Sequence, residues 1–361
     1  MAKIRLGIIG VGNCASGLIQ GVQYYRQNEE IRTGLIHNQV GDYSAIDLEF
    51  VSGFDISETK VGRPLATAIY SPPNEVRWVN RVEGCERVVM EAPILDGVGI
   101  FAEKMIQPIK QTRSVHELRR DIVKEIRDTG TRVLVNYLPV GSQKATEFWA
   151  EVALETGCAF VNCIPVFIAS DKGWSSKFEI KKLPIIGDDI KSQVGSTIVH
   201  RVLTKLCMDR GAVVDQTYQI NVGGNTDFIN MLERDRLESK KISKTEAVQS
   251  QLKNRLENGK IYIGPSDFIP FLGNRKLAFI RVEGRMFANV PFNMEMRLDV
   301  DDKSTSGGTA IDAVRLAQHA LDRGIGGCLT YASAYLMKHP PIQMSDEDAR
   351  TKLDEWIANP S

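Results

Sequence analysis

The sequence predicts an α/β protein with a Rossmann-type, doubly wound parallel sheet and an inserted α+β domain. Up to about residue 195, short apolar segments alternate with amphipathic helical segments, as in parallel sheets covered by helices. The first apolar segment runs into a glycine-rich loop. Beyond residue 195, apolar and polar residues alternate one by one, which indicates a half-solvated antiparallel sheet. A chain of 361 residues, 43% of them apolar, is long enough for two domains.

The helices of the first domain have recognisable ends. Ser114 and Glu117 form a capping-box pattern at the start of one helix, and Gly130 is placed to end it. Ser142 is placed to begin the next helix, and Gly157 to end it. The predicted strands are the apolar segments KIRLGIIG, LEFVSGF, RVVMEAP, RVLVNYL and CAFVNCIPVF. Because parallel strands need crossover connections, we expect helices on both faces of this sheet.

The inserted domain begins with a predicted helix, STIVHRVLTKLCMDRG, and continues with strands. Alternation predicts strands in TYQINV, KLAFIRVEGRMF and FNMEMRLDV. One face of the last strand is apolar and consists of Phe292, Met294, Met296, Leu298 and Val300. The segment TAIDAVRLAQHALDRGIGG then returns to a helical period, so we expect the chain to re-enter the first domain. The predicted boundaries are 1–195 plus 306–361 for the first domain and 196–305 for the insertion.

Composition excludes several classes of partner. Acidic and basic side chains number 45 each, and no basic stripe follows a predicted helix, so nucleic-acid and membrane-surface binding lack their electrostatic basis. The opening MAKIRLGIIG is too short and too rich in glycine for a signal sequence, and no apolar stretch approaches a bilayer span. The six cysteines and five histidines show no metal-ligand spacing. We therefore expect a cytoplasmic protein that binds small molecules.

A dinucleotide fingerprint follows the first predicted strand. Gly10, Gly12 and Ala15 match G-x-G-x-x-G/A in the required strand-to-helix context. Gly10 permits the tight turn, and Gly12 lets the backbone approach a pyrophosphate. The helix that begins near Asn13 and Cys14 presents free amide groups and a positive dipole end to that anion. A plain strand-to-helix connector is the alternative interpretation.

Asp55, in VSGFDIS, is the candidate carboxylate for the adenosine ribose. It lies farther along the chain than the usual spacing of about 20 residues, because IRTGLIHNQVGDYSAIDLE is inserted before the second strand. An acidic residue here accepts ribose hydroxyls and repels a 2′-phosphate, so NAD is favoured over NADP. The alternative is that Asp55 caps a helix.

The segment DRLESKKISKT, residues 235–245, concentrates positive charge. Lys240, Lys241 and Lys244 fall within five residues, between acidic and serine neighbours. A run of lysines is usually a solvated helix face. The alternative is a site at which ammonium groups stabilise an anion.

Three further segments carry a family resemblance. Behind the glycine loop, GDDIKSQVGST, NVGGNTDFINMLERDRLESKKISK and ASAYLMKHPP follow in the order found in myo-inositol-1-phosphate synthases. The chain resembles the shorter, prokaryotic form of that family over nearly its whole length, most specifically where GGNTD is paired with SKKISK. The resemblance implies an isomerase of the intramolecular-lyase class, and an inserted domain that serves catalysis and oligomerisation in a cytoplasmic homotetramer.

The implied reaction converts glucose 6-phosphate to inositol 3-phosphate for inositol and phospholipid biosynthesis. NAD-dependent oxidation at C5 is followed by enolisation, intramolecular aldol closure and re-reduction. Enolisation and closure put negative charge on substrate oxygens, and fixed ammonium groups stabilise such charge. Lysine suits this role because burial and neighbouring lysines lower its pKa toward neutrality.

The resemblance also assigns residues by matching position. The catalytic set is Lys240, Lys276, Lys338, Asp189 and Asp227. The substrate phosphate is assigned to Lys244, Ser192, Gln193, Gly195 and Ser196, which lie in the SKKISK helix or open the helix STIVHRVL. A helix start favours an anion, although a plain serine-capped helix is the alternative. Asp302 is assigned to the cofactor, but DVDDK contains two adjacent aspartates, so the matching residue could instead be Asp301. Lys241 is left outside the site.

Other functions stay open at this point. One alternative is an NAD-dependent cyclase that acts on another sugar phosphate, and a second is a non-catalytic NAD-binding homologue. A dehydrogenase with net consumption of NAD is a third. The resemblance also leaves open whether a divalent or a monovalent cation takes part, since Asp189, Asp227 and Asp302 could either bind a cation or orient lysines. The glycine loop, the helix start and the dispersed lysines together favour a site over a solvated surface.

Overall fold

The computed structural model describes residues 3–359 and, at positions 265 and 266, the backbone alone. Its strands are β1 Ile4–Ile9, β2 Leu48–Asp55, β3 Met90–Glu91, β4 Val133–Asn136, β5 Ala159–Asn162, β6 Pro184–Ile186, β7 Val213–Gly223, β8 Ile261–Phe268, β9 Lys276–Arg285, β10 Pro291–Val300 and β11 Gly327–Cys328. They form a seven-stranded and a four-stranded sheet.

The α-helices connect these strands. They are α1 Asn13–Gln27, α2 Leu65–Ala68, α3 Glu103–Ile106, α4 Val115–Asp128, α5 Gln143–Thr156, α6 Lys172–Ile180, α7 Ser196–Asp209, α8 Thr226–Asn230, α9 Glu238–Gln249, α10 Asp302–Asp322, α11 Thr330–Leu336 and α12 Asp346–Ala358. No helix within residues 3–359 combines the length and apolar character that a bilayer crossing requires.

The seven-stranded sheet is parallel, with the order β11-β6-β5-β4-β1-β2-β3. Strand β1 lies between β2 and β4, so the winding of the chain reverses there. In open α/β sheets, ligands bind beyond the carboxyl ends of the strands at such a reversal. The loop that follows β1 is therefore where the fold itself favours a ligand.

Apolar helices cover both faces of this sheet, which confirms the predicted doubly wound α/β class. Leu6 and Ile8 of β1 are buried together with Leu18 of α1 and Val314 of α10. On the other face, Ile9 is buried in the cluster that contains the apolar side chains of α4 and α5. Because successive strand residues point to opposite faces, burial on both sides explains why these strands read as continuous apolar segments.

The predicted helix ends are largely confirmed. Ser114 and Glu117 form the capping box of α4, with the Ser114 amide donating to the Glu117 carboxylate at 2.8 Å. Gly157 ends α5 in the left-handed region, at φ +76°. Ser142 is the N-cap residue of α5, as expected, but its hydroxyl donates to a carbonyl of the preceding loop and does not cap the helix. The carboxylate of Asp96 accepts from the first amides of α5 instead.

The four-stranded sheet has the order β10-β9-β7-β8. Strands β7, β9 and β10 are antiparallel, as predicted, but β8 joins β7 in parallel and was not predicted. A glycine and a proline interrupt the alternation of IYIGPSDF, and such residues weaken a strand pattern. The predicted alternation in β10 is confirmed, since its apolar side chains are half-buried and its polar ones exposed.

Helix α10 begins earlier than the sequence pattern suggested. It starts at Asp302 rather than near Thr309, and the Asp301 side chain caps it by accepting from the Ser304 amide at 3.0 Å. A Cβ atom on Gly17 of α1 would lie 2.8 Å from the Ser304 Cα, so the two helices pack closely. This packing brings the start of α10 beside the glycine loop.

Candidate active site

A large cavity lies where the carboxyl ends of the parallel strands meet the inserted domain. Gly10, Asp55, Tyr137 and Cys163, which end or follow β1, β2, β4 and β5, line one side. Residues of α8 and α9 and of the strands β7 and β9 line the other. The cavity holds about 1670 Å³ of empty space, with the space open to solvent at its mouth included.

The glycine loop forms the floor of this cavity. Gly10 has φ +84°, and a Cβ there would lie 3.0 Å from the Tyr137 carbonyl oxygen. A Cβ on Gly12 would meet no atom within 4 Å, so the space in front of the loop is open. Asn13 and Cys14 line the cavity at the start of α1. Ala15 is buried in the core behind the loop, so its contribution to a ligand would be restricted to its backbone.

Asp55 is held rigidly at the end of β2. Its carboxylate accepts from the amides of Val11 at 2.7 Å, Ile56 at 2.8 Å and Ser57 at 2.9 Å. Lys60 is 3.9 Å away. Helix α2 begins ten residues later, at Leu65, so Asp55 caps no helix and that alternative is wrong. A carboxylate fixed beside a glycine loop, with open space in front of the loop, fits a dinucleotide.

Four lysines predicted for the site line the cavity together. Lys240 and Lys244 are one helical turn apart on α9, Lys276 begins β9, and Lys338 follows α11. Residues four apart on a helix share a face, whereas adjacent residues do not. Lys241 accordingly points to solvent, as predicted.

Asp189 joins α9 to the segment after α11. Its carboxylate accepts from Lys338 Nζ at 2.8 Å and from the Ser243 hydroxyl at 2.7 Å. Lys338 Nζ also donates to the Ile190 carbonyl at 2.7 Å. The buried Asp189 and the half-buried Lys338 therefore form a hydrogen-bonded ion pair at the cavity wall.

Asp227 is shared by two lysines. Lys240 Nζ lies 3.2 Å from one carboxylate oxygen, and Lys303 Nζ lies 2.6 Å from the same oxygen. Burial alone would raise the pKa of Asp227, but the Lys240 and Lys303 ammonium groups lower it far below its ordinary value. Burial lowers the pKa of Lys240, against the opposing effect of Asp227.

Asp302 belongs with the lysines in this structure. Its carboxylate accepts from Lys276 Nζ at 2.8 Å and from the Ser192 hydroxyl at 2.7 Å. Asp301 caps α10, so the ambiguity in DVDDK is resolved in favour of Asp302 as the residue that lines the cavity. Burial outweighs the attraction of Asp302 and lowers the pKa of Lys276.

Lys244 has no counter-charge of its own. It makes no ion pair or hydrogen bond with any part of the chain that the structure describes, although it is 7% exposed. Burial, followed by the neighbouring Lys240 and Lys276 ammonium groups, lowers its pKa well below the ordinary value. An unpaired buried lysine beside other lysines is arranged to receive an anion.

Of the residues predicted to bind the phosphate near the start of α7, only Ser192 lines the cavity. Ser192 lines the cavity, but Gln193 donates to the Gly34 carbonyl at 2.6 Å and its side chain lies outside. Ser196 Oγ accepts from Gln219 Nε2 at 3.0 Å, and its hydroxyl is used within the inserted domain. Gly195 is the N-cap residue of α7 and also lies outside the cavity lining.

Sequence reasoning missed several residues of the cavity. They are Lys60, Asn74, Tyr137, Thr197, Asn221, Asn225 and Lys303. A signal for Lys303 existed in DVDDKSTSGG, because aspartate is a preferred N-cap residue at a helix start. Had that cap been recognised, Lys303 would have been placed in the first turn of α10, next to the glycine loop. The other residues carry no motif of their own.

The fold and the cavity define an α/β protein of the dinucleotide-binding, Rossmann-type class, with a lysine-rich cavity beside its glycine loop. Residues 195–303 match the family model described as myo-inositol-1-phosphate synthase. The chain is 50% identical to the inositol-3-phosphate synthase of Mycolicibacterium smegmatis over 98% of each chain. It is 49% identical to that of Mycobacterium tuberculosis over 98% of this chain and 96% of the relative. The chain belongs to the myo-inositol-1-phosphate synthase family.

A solved structure shares the fold. A myo-inositol-1-phosphate synthase-related protein from Thermotoga maritima superimposes with a TM-score of 0.84, over 99% of this chain and 98% of that one. Sequence identity between the two is 23%. The Rossmann-type sheet and the inserted domain are therefore an arrangement already known in a solved protein.

Proposed function

We propose that this chain is an inositol-3-phosphate synthase that isomerises glucose 6-phosphate to inositol 3-phosphate with NAD as its cofactor. One observation carries the proposal: lysines from α9, β9, α10 and the segment after α11, all buried or half-buried, face the same cavity as the glycine loop. A redox cofactor and an anionic, enolising substrate can thus be held side by side. The name shared by relatives about 50% identical over nearly the whole chain supports the same conclusion.

When bound, NAD would supply reversible hydride transfer at C5 of the sugar without net consumption of the cofactor. The backbone of Gly10 and Gly12 and the first amides of α1 would hold its pyrophosphate, at Asn13, Cys14 and Ala15. Asp55 would accept hydroxyls of the adenosine ribose. Asp302, which holds Lys276, would place that lysine at the boundary between cofactor and sugar.

The lysines would handle the charge that enolisation and aldol closure create. Negative charge appears first on O5 and then on O1, and fixed ammonium groups stabilise it. Lys240, Lys276 and Lys338 are each held by one of the carboxylates Asp227, Asp302 and Asp189. Because burial lowers the pKa of Lys240 and Lys276, each would give up a proton more readily than an ordinary lysine, which suits proton exchange at C6.

Lys244 and Ser192 would hold the substrate phosphate. A phosphomonoester carries a charge of about −1.5 to −2 at neutral pH, which supplies the counter-charge that Lys244 lacks. The start of α7, whose second residue Thr197 lines the cavity, would add the positive end of the helix dipole. This arrangement gives binding energy without taking part in bond making.

An exposed apolar face supports the proposed homotetramer. Ile220 and Phe279 are directly paired on β7 and β9, and Tyr262 lies on β8 opposite Tyr218 of the same face. Ile220 is 36%, Phe279 39% and Tyr262 48% exposed in the single chain. We also propose that residues 1–195 plus 306–361 form the cofactor-binding domain and residues 196–305 the catalytic and assembly domain, with Asp189 and Lys338 reaching the shared cavity from the first domain. The enzyme would be cytoplasmic and supply inositol for phospholipids.

The test is a product analysis with purified protein, NAD and glucose 6-phosphate. We expect inositol phosphate, identified by ³¹P NMR and by mass spectrometry, without accumulation of NADH at steady state. Fructose 6-phosphate and mannose 6-phosphate serve as control substrates. NADH formed in proportion to the sugar consumed would identify a dehydrogenase, and a product only from another sugar phosphate would identify a different cyclase.

A further inference from the structure

The three aspartates that could bind a divalent cation already form ion pairs with lysines. Asp189 is bonded to Lys338, Asp227 to Lys240 and Lys303, and Asp302 to Lys276. Within residues 3–359, no group of three or more histidine, cysteine, aspartate or glutamate side chains is arranged to hold a metal ion. Divalent cations such as Mg²⁺ and Ca²⁺ need several converging oxygen ligands. The donor set therefore does not fit a divalent cation.

Lys303 occupies the middle of this cluster. It is the second residue of α10, its side chain lines the cavity, and its ammonium group is 2.6 Å from Asp227. The close packing of α10 on α1 at Gly17 holds the Lys303 backbone beside the glycine loop. Burial works against the charged form of Lys303, but Asp227, Cys14 and Asp302 outweigh it and raise its pKa above the ordinary value. Lys303 is thus a permanent positive charge between the cofactor and substrate sides.

We propose that Lys303 is a positioning residue of the active site, whose ammonium group holds Asp227 and supplies the positive charge that a divalent cation would otherwise supply there. This inference rests on the proposed synthase function. It assigns a role to a residue outside the four lysines that the motifs indicated.

The charges in the cavity support this role. Among the residues that the structure describes, lysines in the lining outnumber acidic residues by two; the lysines are Lys60, Lys240, Lys244, Lys276, Lys303 and Lys338, and the acids are Asp55, Asp189, Asp227 and Asp302. With all of them ionised, the excess matches the charge of a phosphomonoester, about −1.5 to −2. Without Lys303 the excess of lysines over acids falls to one.

Lys303 also affects Lys240 through their shared carboxylate. If Lys303 were absent, Asp227 would pair with Lys240 alone and neutralise it, which would weaken its attraction for a substrate oxyanion. The Lys303 charge also lowers the pKa of Lys240, together with burial. The other charged groups around Lys240 are Asp227, Asp189, Lys338 and Lys244. Their charges also affect the pKa of Lys240.

The first part of the test concerns metal in the wild-type protein. After dialysis against EDTA, we expect no stoichiometric metal by elemental mass spectrometry and undiminished formation of inositol phosphate. A stoichiometric divalent cation that survives dialysis, or activity that is lost on chelation and restored by metal, would overturn the inference. The metal measurement needs no activity, so it is informative even if untreated protein yields no inositol phosphate, in which case the proposed function fails.

The second part compares Lys303→Gln with Lys303→Arg. We expect Lys303→Gln to lower kcat by about 10- to 100-fold, the range found when a group that orients an active residue is removed. Lys303→Arg keeps the charge and should recover most of the loss. The pH profile of kcat for Lys303→Gln should shift to higher pH, since loss of a like charge raises the pKa of Lys240.

Thermal unfolding and NAD binding establish that both variants are folded. Wild-type kcat in Lys303→Gln, or a Lys303→Arg protein no better than Lys303→Gln, would overturn the inference, because the charge would then have no role. If Lys303→Gln fails to fold, the Lys303→Arg variant and the chelated wild type decide: full activity in both supports the inference, and loss in either overturns it.

Discussion

Ser192 donates a hydrogen bond of 2.7 Å to the carboxylate of Asp302, 110 residues later in the chain. Asp302 in turn holds Lys276 at 2.8 Å. The loop before α7, where we place the substrate phosphate, is therefore joined to the first turn of α10 beside the glycine loop. The proposed phosphate site and the proposed catalytic lysine share this one carboxylate.

The phosphate site can be tested with Lys244→Ala and Ser192→Ala. Both residues should contribute to binding in the ground state and the transition state alike, so each change should chiefly raise KM for glucose 6-phosphate. Ser192→Ala should have the smaller effect, because a neutral hydrogen bond contributes less than a charged one. Steady-state kinetics measures both constants, and a fall in kcat at constant KM would place these residues in the chemistry instead.

Proton uptake should accompany phosphate binding at Lys244. Burial and neighbouring lysines lower the pKa of Lys244 well below its ordinary value in the free protein. A phosphate dianion favours the charged ammonium and raises that pKa, so the complex should bind a proton from solution. Calorimetry of inorganic phosphate binding in buffers of different ionisation enthalpy measures the uptake. Lys244→Met should abolish it, and an equal uptake in the variant would assign the proton to another group.

Lys240 and Lys241 should differ sharply although they are adjacent. If Lys240 faces the developing oxyanion, Lys240→Ala should lower kcat by at least about 10²-fold, the scale of losing one oxyanion donor. Lys241 is exposed, so Lys241→Ala should change stability by no more than about 0.5 kcal/mol and leave kcat unchanged. The two variants are assayed for inositol phosphate, with thermal unfolding as a check. Equal losses in both would show that the side chain facing the substrate has been wrongly identified.

Cofactor choice should depend on the charge of Asp55. The carboxylate repels a 2′-phosphate, so wild-type protein should bind NAD more tightly than NADP. Asp55→Asn keeps an oxygen that can accept from the Val11 amide but removes the charge, and should narrow the difference between the two cofactors. Calorimetric titration measures all four affinities. An unchanged ratio in Asp55→Asn would remove Asp55 from cofactor recognition.

His200 should make the protein sensitive to mild acid. Burial lowers the pKa of His200 from 6.5 to about 4, with its ring bonded to Thr217 at 2.7 Å. The unfolded state therefore binds more protons below pH 6.5, so this contribution to stability is full above 6.5 and is lost as the pH falls to about 4. The loss amounts to about 3 kcal/mol at one pKa unit per 1.36 kcal/mol.

Denaturant unfolding between pH 4 and 7 measures this dependence. His200→Gln keeps hydrogen-bonding groups but cannot titrate, so its free energy of unfolding should fall less over the same interval. Equal m-values for the variant and the wild type would show that both expose a similar surface area on unfolding. Parallel curves for the wild type and the variant would assign the acid sensitivity to other residues.

Local patterns in the sequence predicted most of the fold. The capping box at Ser114 and the glycine that ends α5 depend on interactions within a few residues, so they are legible without knowledge of the rest of the chain. Lys240 and Lys244 could be placed on one face for the same reason, once α9 was taken as a helix. Strand β8 could not be predicted from the sequence, because its local pattern is weak. It forms through parallel pairing with β7, which is a contact between distant segments of the chain.

The sequence by itself determined the alternation of strands and helices, the glycine loop after β1 and the residue types available for an anion site. Only the tertiary structure decided which groups meet: Lys303 with Asp227, Ser192 with Asp302, and Gln193 with a carbonyl outside the cavity. The reason is physical. Helical and strand periods act over neighbouring residues, whereas an ion pair in a cavity depends on how α1, α9 and α10 pack, and that packing is set by the whole buried core.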